Sequence, residues 1–229
     1  DIPVSYVARW NGSAWSPLHD AGVHNGISGG VYALASDGTY LYAGGSFTRA
    51  GKVPVRNIAR FDGTTWDSLG GGIGGGFVES GSTYLPVVYA IAVTDSIVYV
   101  GGQFREAGGV LAHDIAQWNG TSWSAVGSGI TGDSGYAVYA LATMGSDVYA
   151  GGYFPSAGGA LGSSGIAKWN GSAWFAVGGG ADGTVYALAV RGSAVYARGT
   201  FYTIGGVSVM KIARWDGITW SPLGDGSTS

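Results

Sequence analysis

Four times the chain repeats one ordered set of short motifs. "VYALA" at Val31, "VYAIA" at Val88, "VYALA" at Val138 and "VYALA" at Val185 each open a unit. A polar turn follows, then "LYAGGSF" (41–47), "VYVGGQF" (98–104), "VYAGGYF" (148–154) and "VYARGTF" (195–201). After a Gly-containing loop come "IARFDGTTW" (58–66), "IAQWNGTSW" (115–123), "IAKWNGSAW" (166–174) and "IARWDGITW" (212–220). A return about every 50 residues makes each copy one supersecondary unit that packs on its neighbours.

Local chemistry assigns strands within a unit. The first two motifs are short apolar runs rich in Val and Tyr, joined by a tight turn, which is a strand pair. Their lack of strict alternation predicts burial on both faces. The Asn-Gly or Asp-Gly between two aromatics predicts a second hairpin with a type I′ turn, whose two central residues take positive φ. Each unit therefore reads as four antiparallel strands. Pro17 and Pro222 lie in the last strand and cannot donate to a ladder, so that strand is placed outermost. The paired glycines Gly44-Gly45, Gly101-Gly102 and Gly151-Gly152 suit close backbone approach. Four-stranded sheets repeated radially predict an all-β propeller, favoured over a linear β-solenoid or a sandwich. The expected single domain divides into units 31–87, 88–137, 138–184 and 185–229, after a half blade and loop at 1–30. The nine Trp recur on the third and fourth strands and are expected to pack between blades. Tyr32, Tyr89, Tyr139 and Tyr186 recur on the first strand and read as core.

The Gly-Gly of the second strand, followed by aromatic third and fourth strands, resembles kelch-type propellers. The fuller pattern "VYALA…LYAGGSF…AG…NIARFDGTTWDSLG" is closer to the glycine-rich, kelch-like repeats of secreted bacterial proteins and fungal cortical polarity markers. Phe61 and Trp66 stand closer together than the usual kelch Tyr–Trp pair. The resemblance implies a binding or surface role and transfers no catalytic residue.

The chain opens on "VARWNGSAWSPL" (7–18), a second-type hairpin with no first-type hairpin before it. The hairpin count is odd, so four or five complete blades cannot both close and use every hairpin. A longer array, a ring with one thin blade, or self-association through the incomplete N-terminal blade would each resolve it. In the last case a neighbouring chain adds the missing strands.

Composition narrows function. Charged residues are 11% and formal net charge is −3, so a basic nucleic-acid surface is not expected. No apolar run approaches the roughly 20 residues of a membrane helix. The absence of cysteine excludes disulfides and thiolate metal sites. No phosphate loop, nucleophile–base pair or calcium loop is present, so no cofactor, metal or catalytic residue is expected. The reading is a non-enzymatic extracellular or cell-surface binding or assembly module, with a lectin as alternative and a glycan-active enzyme third. Antiparallel order gathers the longer loops on one face, where a protein or glycan ligand would bind. Candidate residues there are His24, Phe77, Glu79, Tyr84, Glu106, His113, Tyr136 and Arg198. Glu79 and Glu106 are the two glutamates, the pair a glycosidase would need. Arg198 replaces the first Gly of the pair in the fourth unit; it reads as an anion contact or as drift at a solvated position. Asn11, Asn119 and Asn170 lie in Asn-Gly-Ser/Thr sequons on hairpin tips and are candidate glycosylation sites.

Overall fold

The computed structural model describes residues 5–18, 26–79, 81–94, 96–131 and 135–224. Each unit folds as one four-stranded antiparallel sheet with its strands in chain order. Sheet 1 is Gly30–Ser36, Leu41–Ser46, Ile58–Phe61 and Trp66–Ser68. Sheet 2 is Val87–Thr94, Ile97–Gln103, Ile115–Trp118 and Trp123–Ala125. Sheet 3 is Ala137–Met144, Asp147–Tyr153, Ile166–Trp169 and Trp174–Ala176. Sheet 4 is Val185–Arg191, Ala194–Gly199, Ile212–Trp215 and Trp220–Pro222. The N-terminal hairpin, Ala8–Trp10 with Trp15–Pro17, is a separate two-stranded sheet. Among the described residues no helix is long and apolar enough to cross a membrane.

The apolar core lies between successive sheets. Tyr42 and Ile58 of sheet 1 pack with Val88 and Ile91 of sheet 2. Tyr99 and Ile115 of sheet 2 pack with Val138 of sheet 3, and Tyr149 and Ile166 of sheet 3 with Val185 of sheet 4. Val7 and Leu18 of the N-terminal hairpin cluster with Ala43 and Phe61 of sheet 1. Each layer is thus a seam between neighbours in sequence.

Two polar devices fix each seam. The fourth-strand indole N–H donates to a carbonyl that leaves the preceding unit: Trp66 to Leu18 at 3.2 Å, Trp123 to Leu69 at 2.8 Å, Trp174 to Val126 at 3.0 Å and Trp220 to Val177 at 2.9 Å. The loop after the second strand also pairs antiparallel with the stretch leaving the preceding unit. These pairs are Ile27 with Ala50, Ile73 with Ala107, Ile130 with Ala157 and Ala181 with Ile204. The longer loops are therefore largely tied into small sheets.

The array is open, which corrects the expected propeller. Among the described residues the first strands pack one on the next from sheet 1 to sheet 4, and no such packing joins sheet 4 to sheet 1 or to the N-terminal hairpin. The four- and two-stranded sheets remain discrete. Trp10 and Trp15 are 50% and 62% exposed at one end, and Ile212 is 39% exposed at the other. The kelch-like propeller reading, its blade count, its ligand-binding face and its strand-accepting half blade are all overturned with it. The reason is physical. The repeat encodes a sheet and its contact with the next, whereas closure depends on the angle between sheets and on two end faces outside the repeat.

The hairpin tips also differ from expectation. Asp62 N–H donates to the Thr65 carbonyl at 3.1 Å, and Asp62 Oδ1 accepts from Thr64 N and Thr65 N, both at 2.7 Å. Asn11, Asn119, Asn170 and Asp216 cap their tips in the same way. Only the Gly takes positive φ, 99° at Gly63, so the tip is an Asx-capped turn and not type I′. Hydrogen bonds from Thr65 and Thr64 hold the exposed Asp62 carboxyl well below the usual carboxylate range.

Gly63→Val should lower stability by about 1 kcal/mol or more through backbone strain alone, since open space surrounds a Cβ there. An unchanged denaturation midpoint would contradict the turn assignment. Trp174→Phe should cost about 1–2 kcal/mol in the same measurement, because the buried Val126 carbonyl loses its indole donor. The same change at exposed Trp15 should be near neutral.

Candidate functional site

The first strand of every sheet slips register at one place. The slip falls between Val31 and Ala33, Val88 and Ala90, Val138 and Ala140, and Val185 and Ala187. The residue left out of the ladder is Tyr each time: Tyr32, Tyr89, Tyr139 and Tyr186. A bulge of this kind re-aims a side chain. The second Gly of each pair makes it sterically feasible. A Cβ on Gly45, Gly102, Gly152 or Gly199 would overlap the carbonyl oxygen of Gly30, Val87, Ala137 or Thr184.

The four bulges align their tyrosines into one row. Successive ring centroids are 5.9, 5.2 and 5.4 Å apart, with planes tilted by 40–51°. Tyr32 and Tyr186 are 58% and 47% exposed, and Tyr89 and Tyr139 are half-buried. These residues are therefore not core, which corrects the sequence reading. The signal was present as a Tyr at a fixed place opposite a retained Gly, but an apolar "VYALA" run conceals a bulge. Burial raises the Tyr89 and Tyr139 phenols above their ordinary value, and the neighbouring phenols and Asp114 add to the shift at Tyr139. Both hydroxyls consequently stay protonated donors through neutral pH.

The structure gathers several sequence-selected residues between sheets 1 and 2. Phe77 and Tyr84 face each other across a two-stranded excursion, Phe77–Glu79 with Ser82–Tyr84, and stack at 4.9 Å and 16°. The Arg105 guanidinium lies 5.1 Å from the Phe77 centroid and donates to His113 Nδ1 at 3.2 Å. Glu106 pairs with Arg56 at 3.5 Å. Burial, then the Arg105 charge, lowers the His113 imidazole below its ordinary value, so it is a neutral acceptor. Beside this group Phe47, Arg56, Asn57, Leu85 and Pro86 help line an open cleft of about 340 Å³. Tyr136 instead contacts Tyr153 at 5.5 Å near a smaller cleft of about 170 Å³ at sheet 3. Arg198 stands apart, exposed on sheet 4. Asn11, Asn119 and Asn170 occupy exposed tips. His24 lies outside the described residues, and Glu79 is described only by its strand pairing with Ser82. Among the described residues no three His, Cys, Asp or Glu come together as metal ligands.

Asp114 was not singled out by sequence, and its role is legible by comparison with Asn57. Both hold φ 61° just before the third strand. Asn57 Oδ1 accepts from Phe47 N at 3.2 Å while Nδ2 donates to the Ile73 carbonyl at 3.0 Å. Asp114 Oδ1 accepts from Phe104 N at 2.9 Å, and its other oxygen sits 3.5 Å from Arg105. Burial pushes its carboxyl up to about 7, outweighing the Phe104 hydrogen bond and the Arg105 charge. A pKa raised above the unfolded value of about 3.9 gives stability fully present below pH 4 and lost as pH rises through 7. Asp114→Asn should remove that slope and raise stability by roughly 1–3 kcal/mol at pH 8, measured by denaturant titration across pH. Parallel pH profiles for the two proteins would contradict the assignment.

No known protein family and no curated protein matches the chain. Among solved structures, the computationally designed Ika4 protein is 16% identical with a TM-score of 0.46, over 80% of this chain and 92% of that one. The computationally designed Ika8 protein is 17% identical with a TM-score of 0.45, over 87% of this chain and 48% of that one. The extracellular domain of BT4673 from B. thetaiotaomicron is 9% identical with a TM-score of 0.47, over 81% of this chain and 21% of that one.

Proposed function

We propose that this chain is a non-catalytic, extracellular recognition scaffold that reads an extended, proline-rich polypeptide along its tyrosine row. The observation that carries the reading is the row itself: four separate bulges, each using a glycine, place four phenols in contact across four sheets. A polyproline II chain has three residues per turn and rises about 3.1 Å per residue, so one face of it recurs about every 9 Å along the row. Its carbonyls lack internal partners, and protonated phenols supply donors, while the ring faces cover pyrrolidine rings. Exposed Asn11, Asn119 and Asn170 in sequons support the extracellular assignment.

The test is calorimetric titration with a ten-residue oligoproline. Tyr89→Ala with Tyr139→Ala should weaken binding by about tenfold or more, whereas the paired Phe changes should keep part of the affinity. Thermal unfolding of each variant checks the fold. No binding by the unaltered protein, or equal binding by the Ala pair, would contradict the proposal.

A further inference from the structure

The two glycines of each Gly-Gly pair serve different partners. The second supports the bulge of its own sheet and is kept in all four sheets as Gly45, Gly102, Gly152 and Gly199. The first faces the next sheet. A Cβ on Gly44 would strike the Val88 Cγ1 methyl, one on Gly101 would lie 2.5 Å from Val138 Cγ1, and one on Gly151 2.7 Å from Val185 Cγ1. These contacts are closer than two carbon atoms approach, so the next sheet can seat its valine only over Gly.

Sheet 4 carries Arg198 in this slot. Its strand partners are Ala187 and Ile212, just as Ala33 and Ile58 flank Gly44, Ala90 and Ile115 flank Gly101, and Ala140 and Ile166 flank Gly151. The same register puts Arg198 on the same forward face. Ile58, Ile115 and Ile166 are fully buried beneath a following sheet, whereas Ile212 is exposed. We infer that Arg198 is a stop residue: it bars the forward face of sheet 4 from receiving a further sheet of this class. The interaction code of the array is therefore one residue per seam, Gly to accept and Arg to refuse.

The test extends the full chain with a second copy of residues 178–223 placed after Leu223. Behind Arg198→Gly, the added sheet should dock as sheet 4 docks on sheet 3, with its valine over the new Gly. Its amides should then exchange at least about tenfold more slowly than in the same extension behind Arg198. Equal protection in the two backgrounds, whether high or low, would overturn the inference. In the reciprocal change, Gly151→Arg should expose sheet 4 selectively, with the hydrogen exchange of sheets 1 and 2 unchanged. Native-like protection of sheet 4 in Gly151→Arg would also overturn it. If that variant fails to fold, the extension pair decides alone.

Discussion

The contact on which this molecule depends is the seam between one sheet and the next. At each seam a valine of the following sheet sits over a glycine of the preceding one. At the opposite edge of the same sheet a tryptophan of the fourth strand reaches back to a carbonyl of the unit before it. The apolar term supplies most of the attraction, since Val88, Val138 and Val185 are fully buried. The indole bond supplies direction, because an N–H···O bond weakens steeply as it departs from a near-linear approach. Together they determine how each sheet stands on its predecessor, and the fold is that relation applied in series.

Part of the glycine content follows from this geometry. At Gly70, a Cβ would enter the Trp118 ring, and the same steric demand recurs at Gly178 with Trp215. The chain keeps large aromatics and close seams together only by deleting side chains opposite them. The row of phenols follows as well: identical bulges on sheets related by one repeated step must bring their tyrosines into line. A continuous, partly exposed aromatic row thus arises from the packing rule without a dedicated loop.

The strands were legible in the sequence because each is encoded locally, by Val-Tyr-Ala runs and by Asn-Gly or Asp-Gly between aromatics. The openness was not legible, because nothing within a unit states the angle to its neighbour. The tips misled because Asn-Gly serves both a type I′ turn and an Asx cap, and only φ at Asp62 separates them. The tyrosines misled because a buried strand and a bulged one share the same apolar letters. Arg198 was visible as a break in the repeat, yet its meaning needed the position of Val185 over Gly151. The grouping of Phe77 with Tyr84 and of Arg105 with His113 needed the excursion between sheets 1 and 2 to be placed in space.

Trp15 offers the most direct test of the open array. It occupies the position of Trp66, Trp123, Trp174 and Trp220, whose indole protons bond the preceding unit. In a closed ring its indole would bond sheet 4 and be protected equally. In the open array it is 62% exposed. Hydrogen exchange of assigned indole protons should be slow for Trp66, Trp123, Trp174 and Trp220 and fast for Trp15. Protection of Trp15 matching that of Trp123 would contradict the open array.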